Sequence, residues 1–391
     1  MKVRCLVIFL CISLCGLLAC SSKTSTTATT TGAGVLYIAA QGDSSVTAYT
    51  VGLSNGTLST LGAVQSTGNS PFAIALAPSL TALFVDNNAA DSVSGYTVNS
   101  DGSLTAGTGT AKTGTMPMGM AIDPAGKFLF VANQGSSSIS VFAISNASLK
   151  EVAGSPFSTI PAGSIIPTGP TAVAVSASGN FLYVSNAFTG TVSAYSIAST
   201  GRLTELSTSP YNVGIAPSGL ALPPGGAFLY VANSGSNNIS AFSICDKVVT
   251  SCADVNHVDG TLKPVAGSPF SDGAGPVAIA IDPGFSFLYV LEKGSNQIEV
   301  FSYGRGTGVL TPFATTPTVS TGQSPVSFVI VSGATGTDIG NTTTNPTDYV
   351  YVVNNGASTL SAFTLDTATG VLAPLGAAVN TSVNPTAVAA N

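Results

Sequence analysis

An all-β fold, a seven-bladed β-propeller with four antiparallel strands per blade, is predicted by three features of this 391-residue sequence. One hairpin is written seven times between residues 36 and 365, and a short Pro-led apolar strand also recurs seven times. The chain further begins in the middle of one repeat and ends on the strand that repeat lacks. A unit recurring about every 47 residues stacks rather than folds alone, and four strands per unit make a propeller blade.

The hairpin copies are LYIAAQGDSSVTAYTV (36–51), LFVDNNAADSVSGYTV (83–98), LFVANQGSSSISVFAI (129–144), LYVSNAFTGTVSAYSI (182–197), LYVANSGSNNISAFSI (229–244), LYVLEKGSNQIEVFSY (288–303) and VYVVNNGASTLSAFTL (350–365). Val, Ile, Tyr and Phe fill the arms and Gly, Ser and Asn the turn, the composition of a β-hairpin. The Pro-led copies are PFAIAL (71–76), PMGMAI (117–122), PTAVAV (170–175), PSGLAL (217–222), PVAIAI (276–281), PVSFVI (325–330) and PTAVAA (385–390). With a weaker strand after each hairpin, such as Leu203–Leu206, the blade order is A (Pro-led), B and C (hairpin) and D (weak). Strand A at 385–390 is therefore expected to complete a first blade whose other strands lie at the N-terminus.

Side chains fit that order. Strand A carries small residues at its third and fifth positions, as in Ala172 and Ala174, where strands crowd at the axis. Aromatics occupy position two of every B strand (Tyr37, Phe84, Phe130, Tyr183, Tyr230, Tyr289, Tyr351) and the centre of every C strand (Tyr49, Tyr96, Phe142, Tyr195, Phe242, Phe301, Phe363). Rings of this size bury about 150 to 250 Å² each and are assigned to packing between blades. A transmembrane barrel is excluded because its strands need about 9 to 11 residues with lipid-facing alternation.

The first nineteen residues are set apart: Lys2 and Arg4 precede an apolar run from Cys5 to Leu18, the pattern of a secretory signal. Leu17-Leu18-Ala19-Cys20 resembles the lipobox of bacterial lipoproteins, which implies a lipidated Cys20; ordinary cleavage nearby is the alternative. Residues 20–34 then form a Ser/Thr-rich tether with ends roughly 20 Å apart, and residues 35–391 the propeller. The expected location is the cell envelope, with the lipid as the membrane contact, and the body is expected to be a monomer. Cys245 and Cys252 remain as a pair expected to close a disulfide in an oxidising compartment.

Without Lys2 and Arg4, nine basic residues face seventeen acidic ones, a net of −8, with no basic cluster. That balance excludes nucleic acid, whose phosphates need one. No metal site or cofactor is expected either. The loop around His257 (Asp254–Gly260) has the wrong spacing for calcium, with Val265 where the bidentate glutamate belongs. Gly52-Leu53-Ser54-Asn55-Gly56 matches G-x-S-x-G, but in a hairpin turn rather than the strand-to-helix turn a nucleophile requires.

The D-to-A and B-to-C connections share one face, here the top, and the insertions at 245–259 and 333–348 fall on the other. Asn87, Asn133, Asn186, Asn233 and Asn354 recur at the end of strand B and are expected to be turn formers bonding the B-to-C loop. Blade 6 breaks the pattern with Glu292, expected at the top rim beside Val277, Ala278 and Lys293.

The LYVAN repeat with its preceding Pro strand resembles the YVTN-type propellers and the seven-bladed lactonase family of 6-phosphogluconolactonases and the fungal muconate-lactonising enzyme, over Val35 to Asn391. In that family a G-x-G-P-R-H run starts one strand A and a glutamate ends the next strand B. Gly273, Gly275, Pro276 and Glu292 match. Val277 and Ala278 replace the arginine and histidine and can neither clamp an anion nor move a proton. The sequence therefore favours a non-catalytic, lipid-anchored scaffold presenting its top loops to a protein, glycan or peptide. The alternative is a lactone hydrolase centred on Glu292.

Overall fold

The computed structural model describes residues 33–223, 225–248, 259–282, 284, 286–313, 318–333 and 347–391. They form seven antiparallel sheets, each ordered D-C-B-A in space. Blade 1 takes its B, C and D strands from Ala33–Ala40, Ser45–Gly52 and Leu58–Ser66, and its A strand from Pro385–Ala390. Closure is tight: Tyr37 pairs with Ala389, the Asn391 N–H donates to the Val35 carbonyl at 3.1 Å, and the Val35 N–H donates to Asn391 Oδ1 at 2.6 Å. Each A strand neighbours the A strands of the adjacent blades, so the seven make a closed inner ring.

Hydrophobic cores lie between blades. One unites Tyr289 and Leu291 of blade 6 with Val350 and Phe363 of blade 7, and another Tyr37 of blade 1 with Leu83 and Tyr96 of blade 2. The position-two aromatics of strand B are completely buried, as expected for packing.

Five of them do more. The Tyr37, Tyr183, Tyr230, Tyr289 and Tyr351 hydroxyls donate to the carbonyls of Gly102, Gly260, Gly308, Gly370 and Gly56, each in the C-to-D turn of the next blade, at 2.8 to 3.1 Å. Gly308 has φ +72°, and a Cβ there would strike Phe228 of the preceding blade. Glycine thus meets both the backbone demand and the close approach. Gly52–Gly56, the G-x-S-x-G stretch, is one of these turns, with the Gly56 N–H bonded to the Gly52 carbonyl at 2.6 Å.

The D strand is split in blades 3 to 7, as at Leu203–Glu205 and Tyr211–Asn212. In blades 3 to 5 a serine fills the gap: Ser155, Ser209 and Ser268 accept the strand-C N–H of Val141, Ala194 and Ala241 respectively, at 2.9 to 3.0 Å. Cys245 is buried after strand C of blade 5. Its expected partner Cys252, with His257, residues 1–32 including Cys20, and most of the 333–348 insertion, lies outside the described residues.

Candidate functional site: a carboxyl cluster at the seam of blades 5 and 6

The recurring asparagine is not a loop former. Asn87, Asn133, Asn186, Asn233 and Asn354 are fully buried, and their Nδ2 groups donate to side chains on strand C instead. Asn87 donates to Ser92 Oγ at 3.1 Å and Ser94 Oγ at 3.0 Å, and Asn354 to Thr359 Oγ1 at 3.2 Å and Ser361 Oγ at 2.9 Å. Two of the Oδ1 atoms accept a D-to-A loop N–H, from Gly68 at 2.8 Å and Gly322 at 3.0 Å. In blades 2 and 7 the amide therefore clamps the loop to two strands, whereas the Oδ1 atoms of Asn133, Asn186 and Asn233 are buried without a partner. A D-to-A loop position also repeats, marked by a backbone bond to the preceding B-to-C turn: Thr67, Thr113, Thr159, Val213, Thr321 and Thr381.

Blade 6 rewrites this clamp. Asp272 stands in the Thr position, its N–H on the Asn237 carbonyl at 3.3 Å. Glu292, ending strand B (Phe287–Glu292), stands in the Asn position, and Glu299 on strand C (Gln297–Tyr303) stands where Ser94, Ser140, Ser193, Ser240 and Ser361 stand elsewhere. One carboxylate oxygen from each of Asp272, Glu292 and Glu299 lies within 4.8 Å of the others.

Glu292 is not at the rim, contrary to the sequence expectation. It is 0 % exposed, covered by Gly273, whose absent Cβ would overlap the carboxyl group. Its Oε2 accepts from Gln297 Nε2 at 2.8 Å and from Ser295 Oγ, while its Oε1 has no partner. Glu299 Oε2 accepts the Gly273 N–H at 3.0 Å. Both Asp272 oxygens are buried without a partner. Burial, then the charges of Glu292 and Glu299, push Asp272 up to about 8. Burial, then the Glu292 carboxyl beside it, push Glu299 up to about 7. Desolvated like charges disfavour one another's ionised forms, so the cluster calls for protons or a cation.

Val277 and Ala278 are half-buried on strand A of blade 6 and pack on the core between blades 6 and 7; Lys293 is exposed, its N–H on the Gly275 carbonyl at 2.9 Å. None of the residues at the second position of strand A (Phe72, Met118, Thr171, Ser218, Val277, Val326, Thr386) is cationic. Three of their hydroxyls stitch the inner ring: Thr171 donates to the Pro217 carbonyl, Ser218 to Pro276 and Thr386 to Pro71, at 2.9 to 3.0 Å. Elsewhere on the top face a cavity of about 610 Å³ lies between blades 4 and 5, lined by neutral residues such as Phe188, Ile215 and Asn238.

Asp272 and Glu299 escaped the sequence reading although a signal existed. Aligned repeat by repeat, both are acidic where the other blades are neutral; they stand 20 residues before and 7 after Glu292.

Fold and site together define a closed seven-bladed propeller with, among the described residues, one cluster of three carboxyl groups at a seam. The chain belongs to the lactonase, seven-bladed β-propeller family, whose model matches residues 11–107, 73–155, 149–250 and 245–390. No curated protein matches the sequence. Among solved structures it is similar to a "putative 6-phosphogluconolactonase" of Bacteroides fragilis (17 % identity, TM-score 0.76, covering 94 % of this chain and 100 % of that one). It is also similar to the periplasmic gluconolactonase of Pseudomonas aeruginosa (19 % identity, TM-score 0.74, 92 % and 99 %). At such identities these likenesses establish the fold.

Proposed function

We propose that this propeller hydrolyses a neutral sugar lactone at the seam of blades 5 and 6, working from the cell envelope on a tether anchored through Cys20. The observation that carries this reading is the place of Glu292. It occupies the strand-B terminus to which the family resemblance assigns the catalytic carboxylate, and Asp272 and Glu299 are gathered around it where the other blades hold no carboxylate. Hydrolysis needs a water activated against the ring carbonyl and a proton delivered to the ring oxygen as the C–O bond breaks, work that a carboxyl group can do by giving and taking one proton. A neutral substrate fits because strand A offers no cation at its second positions, and a phosphate calls for charge-assisted donors. The Pseudomonas neighbour, a gluconolactonase, supports the same substrate class.

The test is turnover of glucono-δ-lactone, 6-phosphogluconolactone and acyl lactones by wild type and Glu292→Gln. Preference for the unphosphorylated sugar lactone and a drop of about 10² to 10⁴ in kcat/KM for the variant are expected. Wild type no faster than buffer would exclude the reading.

A second reading, a scaffold that binds a partner on its top face, is favoured by exposed apolar side chains on the top loops, among them Met116, Ile165, Phe188 and Ile215. An inert wild type captured by an envelope component through these residues would select it.

A further inference from the structure

We infer that Asp272, Glu292 and Glu299 hold one hard divalent cation, of the calcium or magnesium class, that locks the D-to-A loop between blades 5 and 6. The donors are carboxylate oxygens, the chemistry these ions prefer over nitrogen or sulfur. The ligand atoms lie within 4.8 Å of one another. Two oxygens on opposite sides of a calcium ion stand about 4.6 to 5.2 Å apart, so a single ion can touch all three carboxylates.

Two further observations point to a ligand. The Glu292 side chain is 0 % exposed and aims an unpartnered Oε1 into the cluster, and both Asp272 oxygens are likewise buried without a donor. Buried polar atoms in folded proteins are almost always satisfied. Blade 7 shows what a satisfied seam requires: Asn354 reaches Thr359 and Ser361 and accepts from Gly322, using neutral groups throughout. Blades 3 to 5 each leave one neutral amide oxygen of this position unpartnered, whereas blade 6 leaves three carboxylate oxygens so. Blade 6 replaces the Thr, Asn and Ser positions together, at three separate places in the chain, each time with an acid. One such change is neutral variation; three converging on one point remove the donors the clamp needs and leave a site that a cation completes.

The groups facing the cluster are consistent. Gln297 and Ser295 hold Glu292 by its Oε2 and leave Oε1 free; the Gly273 N–H holds Glu299 by its Oε2. The charges that act on Asp272 are those of Glu292 and Glu299, both negative. This inference stands apart from the lactonase reading, though it would recast Glu292 within it as a ligand that positions the ion.

The test uses the whole propeller, freed of metal by chelation and dialysis. Wild type should bind close to one calcium or magnesium ion per chain by elemental analysis and melt about 2 to 5 °C higher at millimolar metal. The variant Asp272→Thr/Glu292→Asn/Glu299→Ser, which writes the neutral clamp into blade 6, should fold and melt identically with and without metal. Glu299→Ser alone should weaken the response at least tenfold in metal concentration. A wild type whose melting ignores both metals, or a triple variant that keeps the response, overturns the inference. Metal binding without lactone turnover supports the ion and removes the catalytic reading alone; turnover in a chain that binds no metal does the reverse.

Discussion

The Asp86 carboxylate accepts the Phe72 N–H at 2.9 Å and the Ala73 N–H at 2.5 Å on one oxygen and leaves the other buried without a partner. In blade 4 the same work is done by a neutral group, Ser185 Oγ, which accepts the Ala172 N–H at 3.0 Å. Burial raises Asp86 to about 7, against the lowering effect of its two backbone bonds. The folded state therefore binds the proton more tightly than the unfolded chain, so the stability this group contributes is present below pH ~4 and is lost as pH rises through about 7, amounting to about 4 kcal/mol. Asp86→Asn keeps a carbonyl oxygen for both N–H donors. It should be more stable than wild type at pH 8 by about 1 to 3 kcal/mol and not at pH 4; urea unfolding at the two pH values checks both.

At the scale of the strand, the hairpin carries more than its periodicity shows. Alternation and aromatic placement are legible because strands between two blades are buried on both faces and must be apolar there. The choice of Tyr over Phe is not, because the hydroxyl's acceptor is a glycine carbonyl 65 or more residues away in the next blade, as Gly102 is for Tyr37. The Asn position teaches the same lesson: its turn-forming propensity is local, whereas its strand-C and D-to-A loop partners are not. Tyr230→Phe should cost about 1 kcal/mol through the orphaned Gly308 carbonyl, and Tyr230→Ala about 3 to 5 kcal/mol through the cavity it opens. Thermal melts of the pair separate hydrogen bond from packing, and equal melting points would sink the distinction.

For the whole molecule, closure is the controlling event. The A strand of blade 1 arrives last in the chain and pairs Leu36–Ala40 with Pro385–Ala390, while its neighbours are the A strands of blades 2 and 7. Its removal strips the inner edge from blade 1 and opens the ring at two seams at once. Deleting residues 385–391 should lower the melting point by more than about 10 °C or abolish soluble expression; a truncated chain that melts with wild type would show that the ring does not depend on this strand.

The blade count, the order A-B-C-D and the closure of the ring are legible in the sequence, because the prolines and aromatics recur with one period along the chain and the last Pro-led strand is the one the first repeat lacks. Tertiary structure alone decided the site. Glu292 reads as a lone carboxylate at a rim; the pairing of strands B and C sets Glu299 near it, and the D-to-A loop from blade 5 brings Asp272 to it and buries it under Gly273. A periodic pattern reports which face of a strand is buried. It does not report which charges the burial brings together, since those come from two strands and a loop whose side chains meet only in the folded blade.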